Sequence, residues 1–152
     1  MVTFRDARRA DVPAIVALLA DDILGAAREA AAAGDQLDEA YLLAFEQIEA
    51  DPRTRLIVAE ADGQVAGTLQ LNLLPGLSRH GMLRAQIEAV RVAAPHRGRG
   101  LGRTMIEWVI GQAREQGCGL VQLTSDKRRP DAIRFYESLG FSASHEGLKL
   151  SL

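Results

Sequence analysis

"VRVAAPHRGRGLGRTMIEWVI", residues 90–110, is the stretch on which the reading of this chain turns. An apolar run passes into a loop where Gly98, Gly100 and Gly102 alternate with Arg97, Arg99, Leu101 and Arg103. Met105, Val109 and Ala113 then recur at helical spacing, which predicts a helix ending near Gly117. Upstream, Leu83–Val92 predicts a strand that feeds the loop. A helix start leaves backbone N–H groups unpaired and carries a positive partial charge, so it attracts anions. Glycines there remove the Cβ atoms that hold a phosphate at a distance, and they tolerate unusual φ values. Arg97, Arg99 and Arg103 add charge at the same mouth. A tight turn with solvated arginines would explain the loop alone. Its place between a strand and a helix points to phosphate binding.

Two common phosphate motifs fit poorly. A P-loop needs a glycine where Arg97 stands and a lysine where Arg103 stands. The dinucleotide fingerprint spaces its glycines G-x-G-x-x-G, whereas these run G-x-G-x-G. Asp126 stands near the distance expected of a ribose-binding acid, but too little chain follows the loop for a dinucleotide-binding half with its partner lobe.

Outward from the loop, the chain reads as one α/β or α+β domain with a mixed sheet, spanning residues 1–152. Val2–Arg5 predicts a short strand, and Asp11 or Arg9–Asp11 opens a helix with Pro13 in its first turn and Ile15, Leu18 and Leu19 on its apolar face. An Ala-rich segment, Gly25–Ala33, ends at Gly34; a second helix runs from Asp38 to Ala50, with Tyr41, Leu42, Phe45 and Ile48 at helical spacing. "RLIVAEADGQVAGTLQLNLL" predicts a hairpin about Asp62-Gly63. "LVQLTSD" predicts a strand, Asp131–Leu139 a helix, and "FSASHEGLKLSL" a closing strand or strand pair. Hydrophobic residues are 47% and charged residues 25% of the chain, the balance of a soluble folded protein. The net charge of −2 argues against a dedicated duplex-DNA binder. With a single cysteine, Cys118, no apolar run of membrane length and no signal-like start, a cytoplasmic location is expected.

Arg97-Gly98-Arg99-Gly100-Leu101-Gly102 resembles the Q/R-x-x-G-x-G/A signature with which the GNAT superfamily of N-acetyltransferases grips the pyrophosphate of acetyl-CoA. "IEAVRVAAPHRGRGLGRTMIEWVI" is similar to that superfamily's strand–loop–helix core, and "DAIRFYESLGF" to its later A-x-x-x-Y-x-x-x-G-F helix. The resemblance implies a mixed, mostly antiparallel central sheet flanked by helices, with acetyl-CoA bound at a splay between central strands. It implies direct acetyl transfer to a primary amine, with no metal, nucleic acid or membrane partner, and it admits a homodimer.

The same resemblance distributes roles. The cofactor's arm lies along the backbone of Val90, Arg91 and Val92, with an N–H near Val90 touching the thioester oxygen, and its phosphates lie on residues 97–103. Tyr136 matches the tyrosine that protonates the departing thiolate; a phenol, with an ordinary pKa of about 10, can donate in place. For the base, the residues themselves offer Glu88, an acid in an otherwise apolar strand next to the thioester site, acting directly or through water. Apolar surroundings raise a carboxyl's pKa. Alternation puts Glu88 on one face with Val90 and Val92 unless a bulge intervenes, while a solvent-facing glutamate explains the same residue. His80 and His145 are weaker candidates for the base. Where many relatives carry an asparagine seven residues before the tyrosine, this chain has Arg129, inside "SDKRRPD". Lys127, Arg128 and Arg129 meet the cofactor's phosphates or form a solvated charge run. Asp21, Asp22 and Glu46 are candidate acids for a cationic acceptor. Two other classes stay open: a non-catalytic acyl-CoA-binding or sensory domain, and an RNA-binding module using "HRGRGLGR" and "DKRRPD". The second lacks aromatics interleaved for base stacking.

Overall fold

Five strands form one sheet in a computed structural model that describes residues 1–21, 24 and 37–152. They are β1 (Val2–Asp6), β2 (Thr54–Ala61), β3 (Gln64–Leu74), β4 (Arg84–Val92) and β5 (Leu120–Gln122), in spatial order β1-β2-β3-β4-β5. The first four make an antiparallel meander, and β5 joins β4 in parallel. The sheet is therefore mixed and mostly antiparallel, as expected. The β2–β3 turn falls on Asp62-Gly63, with φ values of 52° and 75°, the left-handed pair that a two-residue hairpin turn requires.

Helices α1 (Val12–Ala20) and α2 (Glu39–Ala50) cover one face of the sheet, and α3 (Leu101–Glu115) the other. α2 starts where the Asp38 carboxylate accepts the N–H of Ala40 at 2.9 Å, a cap for an orphan helical donor. α1 follows a short turn, Arg9–Asp11, with Pro13 in its first turn. Asp11 takes both forks of Arg5, at 2.7 and 3.0 Å, and also accepts the Arg8 N–H at 2.7 Å. Arg5 continues to Glu60 at 2.8 Å, so this cluster ties β1 and β2 to the start of α1. The bond to Arg5 holds the Asp11 carboxyl below the usual carboxylate range.

The core between sheet and α3 consists of Ile57, Leu69, Leu71 and Ile87 against Met105, Ile106 and Val109, all essentially inaccessible. Met105, Val109 and Ala113 form the buried stripe that their spacing predicts. Truncating such a side chain costs about 2–5 kcal/mol. Trp108 stacks on Phe4 at 5.2 Å between ring centres, and Arg55 lies 5.7 Å over the same indole. No described helix is long and apolar enough to cross a membrane.

These elements form one compact unit, Met1–Gln122; a second comprises Leu123–Leu152. The second unit contains α4 (Pro130–Ser138), close to the expected helix. Its remainder corrects two expectations. "LVQLTSD" is strand only over Leu120–Gln122, where its ladder with β4 ends, and further on Asp126 turns the chain by accepting the Arg128 N–H at 2.9 Å. Residues 141–152 form no strand, and Leu148, Leu150 and Leu152 are exposed. Alternation alone does not make a strand; its backbone groups need a ladder partner. The Ala-rich segment and Asp22 lie outside the described residues.

Candidate active site

β4 sets the geometry of the site. Its pairing with β5 covers only Arg84–Gln86, so from Ile87 onward its β5-side edge has no ladder partner among the described residues. On the other edge Gln70 pairs with Glu88 and Thr68 with Arg91, leaving Leu69 to face both Ala89 and Val90. That extra residue is a β-bulge. Ala89 sits at φ 52°, a left-handed conformation that costs a non-glycine residue about 1–3 kcal/mol and recurs at functional sites.

The bulge corrects the simple alternation. Glu88 lies opposite Gln70 and Arg91 opposite Thr68, on the face covered by α1 and α2. Val92 lies opposite Gly67, whose added Cβ would meet Met105 Sδ at 2.7 Å, so Val92, and Val90 with it, belong to the α3 face. Glu88 is exposed rather than enclosed among apolar neighbours. Its Oε1 accepts from Gln86 Nε2 at 2.7 Å, and Gln86 Oε1 accepts from Gln122 Nε2 at 2.9 Å. Beside this chain Gln70 donates to Asn72 at 3.0 Å. Sequence reasoning missed this polar row. Its signal was there: Gln70 and Asn72 on one strand and Gln86 and Glu88 on the next share a parity among apolar residues.

Beyond β4, a turn at Ala94–His96 leads into the loop. Gly98 and Gly100 take φ of 72° and 85°, and Gly100 is the residue from which α3 springs. A Cβ at either glycine would project into open space. Gly98 and Gly100 therefore put no side chain of their own into the space at the start of α3, whose first amides lack helical acceptors. Arg97 does not extend freely: its Nε donates to the Val92 carbonyl at 3.0 Å, and Nη2 to the Asp21 carboxylate at 3.1 Å. It braces the end of β4 against the end of α1. Arg103 pairs with Glu107 one turn along α3 at 3.5 Å, and Arg99 is exposed. The Val90 carbonyl accepts from Arg91 Nη1 at 2.9 Å.

The other expected residues fall as follows. Tyr136 belongs to the second unit, half-buried, with its ring edge-on to Phe135 at 5.1 Å and to Phe141 at 5.7 Å. Lys127 pairs with Glu146 at 3.0 Å with both side chains largely exposed, and Arg128 pairs with Asp126 at 2.8 Å. Those two cations form a solvated run with local partners. The Arg128 guanidinium holds Asp126 far below the usual carboxylate range, so that acid already has a partner in its own turn. Asp21 is taken by Arg97, and Glu46 by Arg9 at 2.9 Å. His80 stands exposed in a left-handed turn, and His145 bonds Ser144 at 2.7 Å. Burial pushes the Cys118 thiol up, away from nucleophile chemistry. Among the described residues no group of three or more His, Cys, Asp or Glu could hold a metal.

The profile of the acetyltransferase (GNAT) family matches residues 14–141. The chain belongs to the GNAT family. An aminoalkylphosphonate N-acetyltransferase of Salmonella typhimurium is 32% identical over 95 residues, covering 62% of this chain and 61% of that protein. A glucosamine 6-phosphate N-acetyltransferase of Trypanosoma brucei brucei is 32% identical over 99 residues, covering 65% of each. The chain thus matches less than two thirds of the length of these two curated GNAT relatives. The crystal structure of a transcriptional regulator from Bacillus halodurans C-125 superposes with a TM-score of 0.96 at 46% identity, covering all of both chains.

Proposed function

We propose that the chain transfers an acetyl group from acetyl-CoA to a primary amine within a ternary complex, residues 1–152 acting as one catalytic domain. The observation that carries this reading is the junction of β4 and α3. A bulged strand with an open edge leads directly into two left-handed glycines at a helix start. The open space in front of Gly98 and Gly100 suits a pyrophosphate, and the unpaired edge of β4 suits an extended pantetheine arm.

Bound there, acetyl-CoA supplies an activated acetyl thioester; the amine nitrogen forms the new C–N bond as the C–S bond breaks. The backbone of Val90, Arg91 and Val92 orients the arm, and a Val90 N–H donates to the thioester oxygen. A donor of this kind contributes about 3–4 kcal/mol elsewhere. Glu88 takes the proton that the amine loses, directly or through water. Tyr136 gives its phenolic proton to the thiolate sulfur. The amides and side chains of Arg97, Gly98, Arg99, Gly100, Leu101, Gly102 and Arg103 hold the phosphates. The single, half-buried Cys118 suits a cytoplasmic setting.

Thermal unfolding with acetyl-CoA, ATP and NAD at equal concentration tests the cofactor. At a hundred times its Kd a ligand adds about 2.7 kcal/mol, a rise of roughly 5–10 °C for a chain of this size. Acetyl-CoA alone should produce it. Equal stabilisation by NAD would overturn the assignment.

A further inference from the structure

An apolar cavity of about 160 Å3 lies between α1, α2 and the sheet. Val12, Ile15, Val16 and Leu19 of α1 face Tyr41, Phe45 and Ile48 of α2 across it, and Ala44 also lines it. Its sheet side is Leu56, Thr68, Gln70 and Ala89. Ala89 is the bulge residue, and Gln70 is the register partner of Glu88. The cavity therefore reaches the chain neighbour and the register partner of Glu88, the residue proposed as the base, on the same face of the sheet.

Its chemistry is specific. Among the described residues no lysine, arginine or histidine lines it. Arg91 lies on this face of the sheet but not in the cavity wall, and its Nη1 donates to the Val90 carbonyl at 2.9 Å. Thr68 already donates its hydroxyl to the Ile57 carbonyl at 2.8 Å, and Gln70 its amide to Asn72. A cavity of this volume and lining accommodates about one benzene ring. A phosphate or phosphonate placed there would be desolvated without a cation to meet it.

We infer that the acceptor is a primary amine carrying an apolar group the size of a phenyl ring or a leucine side chain. That group fills the cavity and delivers the nitrogen to Glu88. The inference rests on the acetyltransferase reading and narrows it. It also separates this chain from the two curated relatives, whose names specify an aminoalkylphosphonate and a glucosamine 6-phosphate.

The test compares 2-phenylethylamine, ethylamine and 2-aminoethylphosphonate as acceptors, following thiol release from acetyl-CoA, with the acetyl-CoA thermal shift measured alongside. Burying the ring should raise kcat/KM for 2-phenylethylamine over ethylamine roughly ten- to a hundredfold. Ala44→Trp, at an exposed position of α2 on the cavity wall, should collapse that ratio toward one while the acetyl-CoA shift persists. The parent ratio stands as a test even without this variant. With the shift intact, equal rates, a preference for the phosphonate, or no turnover of the phenyl amine would overturn the inference alone. Loss of the shift itself would overturn the acetyltransferase reading beneath it.

Discussion

Replacing Gly100 with alanine separates the backbone cost of the loop from its role in binding. At φ 85° a Cβ is crowded by its own backbone, a penalty of about 1–2 kcal/mol. None of the described residues beyond its chain neighbours lies within 4 Å of that Cβ, so no clash with them adds to it. Gly63, in the β2–β3 turn, provides a matched control: its φ is 75° and its added Cβ likewise meets nothing within 4 Å. Both alanine variants should therefore lose about 1–2 kcal/mol, a Tm drop of roughly 2–8 °C. Their binding should differ. Only Gly100 caps the start of α3, where an added methyl takes up part of the open space proposed for the phosphate, whose bonds to amide donors contribute about 1.5–3 kcal/mol each. Gly100→Ala should thus bind acetyl-CoA roughly ten- to a hundredfold more weakly, and Gly63→Ala as tightly as the parent. Urea unfolding and calorimetric titration of acetyl-CoA measure the two quantities. Parent-like affinity in Gly100→Ala would refute the cradle.

Three further outcomes follow from particular side chains. Tyr136→Phe keeps the ring packed between Phe135 and Phe141, so acetyl-CoA affinity should hold while kcat falls about 10²–10⁴-fold; full activity would assign the proton to another donor. Glu88→Gln should slow the reaction most near neutral pH and recover as pH rises, because the amine then arrives unprotonated; a parent-like profile of kcat/KM against pH would remove Glu88 as the base. The third concerns folding. Because Arg5 holds the Asp11 carboxyl below its usual range, this contact stabilises the fold fully above about pH 4 and weakens as pH falls through the depressed native value. Asp11→Asn should cost about 1.5–3 kcal/mol at pH 7 and flatten the acid limb of stability against pH, read by urea unfolding at several pH values.

Much of the fold was legible because local signals and tertiary partners agree. Asp38 caps α2, Asp62-Gly63 turns the hairpin, and Met105, Val109 and Ala113 line the buried face of α3. The loop was legible for the same reason: glycine letters and positive φ coincide at 98 and 100. The bulge was not, since Ala89 carries no mark of a left-handed residue; only the pairing of Thr68 with Arg91 and Gln70 with Glu88 reveals it. Pairing also decided the tail, where Leu148, Leu150 and Leu152 alternate like a strand but join no ladder. Charge partners were equally hidden. Asp21 and Arg97 are 76 positions apart in sequence, and Arg9 and Glu46 are 37 apart; no local pattern joins either pair. The cavity arises from two helices and three strands that meet only in the fold, although Tyr41, Phe45 and Ile48 had the spacing of a buried face.

The most direct measurement of the central claim is the release of free thiol from acetyl-CoA in the presence and absence of a primary amine, with the product identified by mass. Amine-dependent release that yields the N-acetylated amine, one per thiol, is the predicted result. Tight acetyl-CoA binding with no amine-dependent release from any member of a broad panel would contradict it, leaving an acyl-CoA-binding domain in place of an enzyme.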